Sequence, residues 1–264
     1  MNNGKDLVFI KLGGSAITFK DQPGKANFKV LDRSAAEIAE IAIDYNLLVG
    51  HGGGSFPHPV AQEYKVQEGI KICGTKGFVE TQNAVRKINS LVVKSLVDKG
   101  VPVVPIQTSA CAVMSKGEIT EMYLDPIKEA LKNRMVPVLN GDVLFDLTTG
   151  CGIASTEMIF NYLAKKLGPK RIILGANVDG VYAGGADGGK LIARIDKNNK
   201  RKIIEELKEV EPAVPDVTGS MAHKVEELYN LSKLDIGIQI VNMLKEGYLK
   251  RAVQGEHLGT IIHV

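Results

Sequence analysis

Two glycine-rich turns, each directly after an apolar run, dominate the chemistry this sequence can do. The first reads Lys11-Leu-Gly-Gly-Ser15 after Leu7-Val-Phe-Ile10, and the second reads His51-Gly-Gly-Gly-Ser55 after Leu47-Leu-Val49. Glycines there let backbone N–H groups come close to a ligand, and consecutive amides form concavities that bind anions. One such turn is a weak signal for phosphate. Two of them within the first 55 residues, the first with its own lysine, predict two phosphate groups that must meet, as in phosphoryl transfer. Neither turn reads GxxxxGK[ST] or GxGxxG, which argues against a P-loop NTPase and a dinucleotide-binding Rossmann unit.

The side chains around these turns fit the same chemistry. Lys11, beside Gly13 and Gly14, is a cation placed to neutralise a triphosphate tail and the charge of a transferred phosphoryl group. Lys20 follows in a polar loop and, taken alone, reads as an ordinary exposed lysine. His58, in Ser55-Phe-Pro-His-Pro59, is placed to donate to a substrate phosphate; the alternative is a turn histidine held between two prolines. His51 reads as structural. Further on, Asn177-Val-Asp-Gly-Val-Tyr182 is a polar turn suited to a ribose or base edge, with Asp179 at its centre. Asp216-Val-Thr-Gly-Ser-Met-Ala-His-Lys224 then leads into a helix that Thr218 or Ser220 would cap, and whose N-terminus would favour phosphate. Lys224 falls in the first turn of that helix, where the dipole disfavours a cation, so its position calls for a nearby anion.

Short Val/Ile/Leu-rich runs alternate with helical stretches. Strands are expected at 7–12, 47–49, 101–106, 136–140, 171–175 and 237–241. Helices are expected at 33–45 (with Asp32 as N-cap), 80–98, 126–133, 156–167, 221–231 and 243–250. That alternation predicts an α/β fold, with a mainly parallel sheet covered on both faces and ligands at the carboxyl ends of its strands. Gly168-Pro169 marks an expected lobe boundary. Residues 1–168 carry both glycine turns and residues 169–264 carry the later polar turns, within one continuous αβα domain. The apolar face of the 80–98 helix reads first as core. Ile88, Val92 and Met114 are the expected lining of any pocket for an apolar substrate tail.

Composition narrows the class. A chain of 264 residues with 44% apolar and 24% charged residues can bury a full core, and a net charge of +3 with 5% aromatics is a poor match to a nucleic-acid binder. No apolar run is long enough to span a membrane, and the N-terminus shows no apolar targeting core. Cys73, Cys111 and Cys151 form no CxxC pair, so a cytoplasmic chain with neither a disulfide framework nor a zinc site is expected.

Taken together, KLGGSAIT, VGHGGGSFPH, NGDVLFD, GANVDGVY, DVTGSMAHKV and GEHLGTII resemble the amino acid kinase superfamily nearly end to end. Within it, GHGGGSF followed by His58, together with Lys20, resembles the isopentenyl phosphate kinases. The resemblance implies a three-layer αβα sandwich, a homodimer, and transfer of the γ-phosphoryl group of Mg-ATP to isopentenyl phosphate, with ATP and Mg2+ as cofactors. By position it implies that Lys11, Gly13, Gly14, Ser15 and Gly54 hold the ATP phosphates. Lys20 would stabilise the transition state. Gly53, Gly54, His58 and Thr156 would bind the acceptor, and Asp179, Gly219, Ser220 and Lys224 would belong to the nucleotide site. Glu157 stands where relatives have the aspartate that organises the catalytic lysines. Three departures are expected to matter: Pro57 stiffens the turn before His58, Ser220 replaces a usual glycine, and Thr156 adds a side chain where phosphate should approach an amide. A kinase of another small phosphate or phosphonate (fosfomycin-type) and a non-catalytic nucleotide-binding protein are the alternatives.

Overall fold

The computed structural model describes residues 4–184, 189–209 and 221–264. Its centre is an eight-stranded sheet: β1 (Leu7–Leu12), β2 (Asn46–His51), β3 (Val103–Pro105), β4 (Val136–Asn140), β5 (Arg171–Ala176), β6 (Arg194–Ile195), β7 (Gly237–Asn242) and β8 (Thr260–Ile262). The spatial order is β6-β8-β7-β5-β1-β2-β4-β3. From β3 to β7 every pairing is parallel; β8 runs antiparallel to β7, and β6 is parallel to β8. The inner strands are apolar on both sides because helices cover both faces.

Alternation within β1 divides the core. Phe9 points to one face, with Leu48, Leu139 and Ile172. Val8, Ile10 and Leu12 point to the other, with Leu47, Val49 and Val138. The first face is covered by α5 (Asp125–Lys132), α6 (Thr156–Leu167), α7 (Lys200–Glu209) and α8 (Met221–Ser232). The second is covered by α2 (Phe28–Ile41), α4 (Ile70–Asp98) and α9 (Tyr248–Val253). A short α1 (Gly14–Ile17) and α3 (Pro57–Glu63) follow the two glycine turns. Phe9 and Phe160 meet with ring centroids 5.1 Å apart, seating α6 under β1. The molecule is the expected three-layer αβα arrangement, and one sheet runs unbroken across residue 168 through the β1–β5 pairing.

Register, more than strand identity, places the site. Leu12 is level with His51 and with Gly175, His51 with Asn140, and Ala176 with Asn242. The chain therefore leaves β1, β2, β4, β5 and β7 along one edge of the sheet, the edge at which parallel α/β sheets bind ligands.

The structure corrects several expectations. α2 starts at Phe28, not Arg33, because Asn27 caps it by accepting from the Val30 amide; Asp32 lies inside the helix. α4 begins ten residues earlier than periodicity indicates, at Ile70, with a break in helical geometry at Gly74. The helix expected at 243–250 is displaced to Tyr248–Val253, since Gly247 sits in the left-handed region at its start (φ 75°). Ile88, Val92 and Met114 are at most 1% exposed and belong to the two main cores, so they do not line a tail pocket. Among the described residues no helix is long and apolar enough to cross a membrane.

The C-terminus of α6 supplies a clean test. Gly168 adopts φ 58°, ψ 58°, and its amide donates to the Ala164 carbonyl at 3.0 Å. An added β-carbon would meet nothing within 4 Å, so substitution there costs backbone strain alone. Gly168→Ala is expected to lower unfolding free energy by about 1–2 kcal/mol in urea titration; an unchanged midpoint at unchanged slope would contradict this.

Candidate active site

The two glycine turns are packed into a single unit. The Gly52 amide donates to the Leu12 carbonyl at 3.0 Å, which starts both turns side by side. A β-carbon on Gly14 would lie 2.5 Å from the Gly54 nitrogen, and one on Gly52 would lie 2.9 Å from the Gly14 nitrogen. Gly54 has φ +54°, and a β-carbon there would lie 2.5 Å from the Gly14 carbonyl oxygen. Backbone touches backbone, which any side chain would prevent. The buried Thr18 closes the junction: its hydroxyl donates to the Gly14 carbonyl (2.8 Å) and accepts from the Ser55 amide (3.0 Å).

That junction also holds the loop carrying Lys20. Ser55 Oγ donates to the Gln22 carbonyl at 3.1 Å, and the Gly24 amide donates to the Ser55 carbonyl at 2.9 Å. Lys20 is exposed on this loop and makes no hydrogen bond or ion pair with the described residues. On the other side, a β-carbon on Gly13 would lie 2.4 Å from the Gly175 carbonyl oxygen, and Ser15 Oγ donates to Asn177 Oδ1 at 3.1 Å. The turn after β5 is thereby drawn against the first glycine turn.

The N-terminus of α6 brings the charges. Ser155 caps it, its hydroxyl accepting from the Met158 amide at 3.1 Å. Thr156 is buried; its hydroxyl donates to the His51 carbonyl (2.7 Å) and accepts from the Gly141 amide (3.1 Å), tying the ends of β2 and β4. The expectation that this side chain obstructs an approaching phosphate is therefore corrected: the side chain is turned inward, into the strand ends. Glu157 follows, and its carboxylate sits 2.5 Å from Lys11 Nζ, each side chain 15% exposed. Burial raises the affinity of the Glu157 carboxyl for a proton, but the Lys11 and Lys224 ammonium groups outweigh it and hold the carboxyl below its ordinary value. Glu157 is thus the anion that Lys224 calls for.

His58 is placed by Pro57. The proline opens α3, where its missing N–H is no loss, and a β-carbon on Gly53 would lie 2.1 Å from its ring. The His58 amide reaches the Gly54 carbonyl at 3.4 Å, so the half-buried imidazole rises directly from the second glycine turn. Pro57 therefore seats His58 against that turn. His51 is structural as expected: it is buried, its Nε2 lies 2.9 Å from Asn89 Oδ1, and burial holds its pKa down.

Asp179 accepts from Asn242 Nδ2 at 3.0 Å and pairs with Lys245 Nζ at 2.6 Å; these contacts hold its carboxyl below its ordinary value. Gly219 and Ser220, with the Thr218 cap, lie outside the described residues. Among the described residues no group of three or more His, Cys, Asp or Glu side chains is placed to hold a metal ion. Sequence reasoning missed Thr18, Ser55 and Lys245. A hydroxyl four residues after Gly14 is a readable signal for Thr18, whereas nothing local pairs Lys245 with Asp179, 66 positions earlier.

The Lys11–Glu157 pair makes stability depend on pH. Because the folded carboxyl titrates below its unfolded counterpart, the pair's contribution is present above the ordinary glutamate range and is lost as pH falls through the lowered folded value. Glu157→Gln is expected to be less stable than wild type near neutrality, with the gap closing in acid. A gap in unfolding free energy that does not change with pH would contradict the pairing.

The amino acid kinase family model matches residues 6–242. The chain is 36% identical to the isopentenyl phosphate kinase of Methanocaldococcus jannaschii, over 97% of this chain and 98% of that protein. It is 34% identical to the isopentenyl phosphate kinase of Methanothermobacter thermautotrophicus, over 96% and 97%. A solved structure described as isopentenyl phosphate kinase superposes with a TM-score of 0.83 at 32% identity, covering 97% of this chain and 99% of that one. With the interlocked glycine turns and the Lys11–Glu157 pair already in place, these likenesses identify the chain as a member of the amino acid kinase family, among the isopentenyl phosphate kinases.

Proposed function

We propose that this chain transfers the γ-phosphoryl group of ATP to isopentenyl phosphate, giving ADP and isopentenyl diphosphate. The observation that carries the reading is the backbone contact between the two glycine turns, each of which the reading takes as a phosphate cradle. In this reading Lys11, Gly13, Gly14, Ser15 and Gly54 hold the ATP phosphates, and Asp179, Gly219, Ser220 and Lys224 complete the nucleotide site. Gly53 and Gly54 meet the acceptor phosphate through backbone amides, His58 through its imidazole and Thr156 through its amide, its hydroxyl being committed to the strand ends. Lys20 reaches the transferring group from the loop hung on Ser55. Residues 1–168 then carry the acceptor site and both glycine turns, and residues 169–264 the rest of the nucleotide site.

The chemistry needs no general base. An acceptor phosphate oxygen is already anionic near neutrality, so catalysis reduces to alignment and charge neutralisation. Glu157, held ionised between two lysines, is committed to placing Lys11. Among the described residues no carboxylate cluster is placed to hold a metal ion, so Mg2+ would come bound to ATP and would supply neutralisation of phosphate charge. A homodimer in the cytoplasm completes the proposal.

The direct test is ADP release from Mg-ATP with isopentenyl phosphate, dimethylallyl phosphate, geranyl phosphate, fosfomycin and isopentenol as acceptors. Turnover on the isoprenoid monophosphates and none on isopentenol is expected; turnover on fosfomycin alone would replace the acceptor. Lys20→Ala is expected to retain ATP affinity and lose about 100-fold or more in kcat. A wild-type rate would remove Lys20 from the transition state. His58→Ala is expected to raise the KM for isopentenyl phosphate about tenfold or more, and unchanged saturation would reject its role.

A further inference from the structure

The partners of Asp179 do not come from its own turn. Asn242 ends β7, and Lys245 lies three residues beyond it, on the segment leading to α9. That segment is gripped by α2 on both sides of Lys245. Before it, Arg33 Nη2 donates to the Met243 carbonyl at 2.6 Å. After it, the buried Glu37 carboxylate accepts from the Gly247 amide (3.0 Å) and the Lys250 amide (3.1 Å). Lys250 adds an ion pair to Glu40 at 2.6 Å. The Lys245 ammonium also lies 5.4 Å from the centre of the Tyr248 ring. Its backbone and side chain are both held, which lowers the rotamer entropy that ordering a lysine otherwise costs.

Stability does not account for this arrangement. The pair is open to solvent, with Lys245 46% and Asp179 35% exposed, and exposed pairs contribute little to stability. What the pair fixes is the turn that carries Asp179, and that turn reaches the first glycine turn through Asn177 and Ser15.

We propose that Lys245 is a positioning residue for nucleotide binding: acting through Asp179, it sets the 177–182 turn against the first glycine turn and cancels a carboxylate charge that would repel a polyphosphate. The proposal rests on the kinase reading only in taking that turn as nucleotide-facing. Arg33 and Glu37 keep Lys245 in place from the far side of the segment.

The test measures ATP binding by calorimetry on the full chain without acceptor, and thermal unfolding without nucleotide. Lys245→Met is expected to weaken ATP about tenfold, the worth of one charge-assisted hydrogen bond, while the nucleotide-free midpoint stays at the wild-type value. Lys245→Arg is expected to recover most of the affinity, since it keeps the charge and a donor. Adding Lys245→Met to Asp179→Asn is expected to weaken ATP no further, because the two act as one unit. Wild-type ATP affinity in Lys245→Met, additive losses in the double variant, or a wild-type chain that binds no ATP would each overturn the proposal. A chain that binds ATP but leaves isopentenyl phosphate unphosphorylated would overturn the kinase reading instead, and the same titration would still decide the role of Lys245.

Discussion

The contact between Gly14 and Gly54 governs this site. Two backbones meet at a distance that excludes any side chain, and Thr18 spans the junction with one hydroxyl used as both donor and acceptor. The contact exists because β1 and β2 are parallel neighbours in a register that ends them level, Leu12 beside His51. Packing on both faces of the sheet, including Phe9 on Phe160, fixes that register. A shift of one residue would turn the core residues of a strand to the wrong face, so the cores and the site are set by the same constraint.

Electrostatics then follow from geometry. Thr156 and Glu157 are successive residues at the start of α6, and the helix sends them opposite ways. The threonine goes into the strand ends and the glutamate toward Lys11. The Glu157 carboxylate pairs with Lys11 and feels the charge of Lys224, and both lysines hold it below its ordinary value. The arm of Glu157 is long enough to reach Lys11 at 2.5 Å from the first turn of α6.

Much of this was legible in the sequence, and the gaps have physical causes. The buried strands at 7–12 and 136–140 and the helix at 156–167 are read directly, because apolar runs and the Gly168-Pro169 stop are local signals. The two glycine turns are legible for the same reason, as glycines directly after buried strands. The start of α2 was misplaced because Asn27 and Asp32 are both plausible caps, and only packing of Val30 and Leu31 against the core decides between them. The tail-pocket reading of Ile88, Val92 and Met114 failed because apolar periodicity cannot distinguish a pocket wall from a core. Thr18 bridging two turns and Lys245 crossing to Asp179 depend on strand order, which one sequence does not display.

In the proposed reaction the two glycine turns act as one unit that sets the distance between donor and acceptor phosphates. Steady-state kinetics of Thr18→Val tests it most directly, since the substitution keeps the shape and removes the hydroxyl. A fall in kcat of about 100-fold is expected, with far smaller changes in either KM, because both phosphates still bind but no longer meet in line. Thr18→Ser, which restores the hydroxyl, is predicted to recover most of the rate. Wild-type kcat in the valine variant would contradict the claim and leave the two turns as independent phosphate sites.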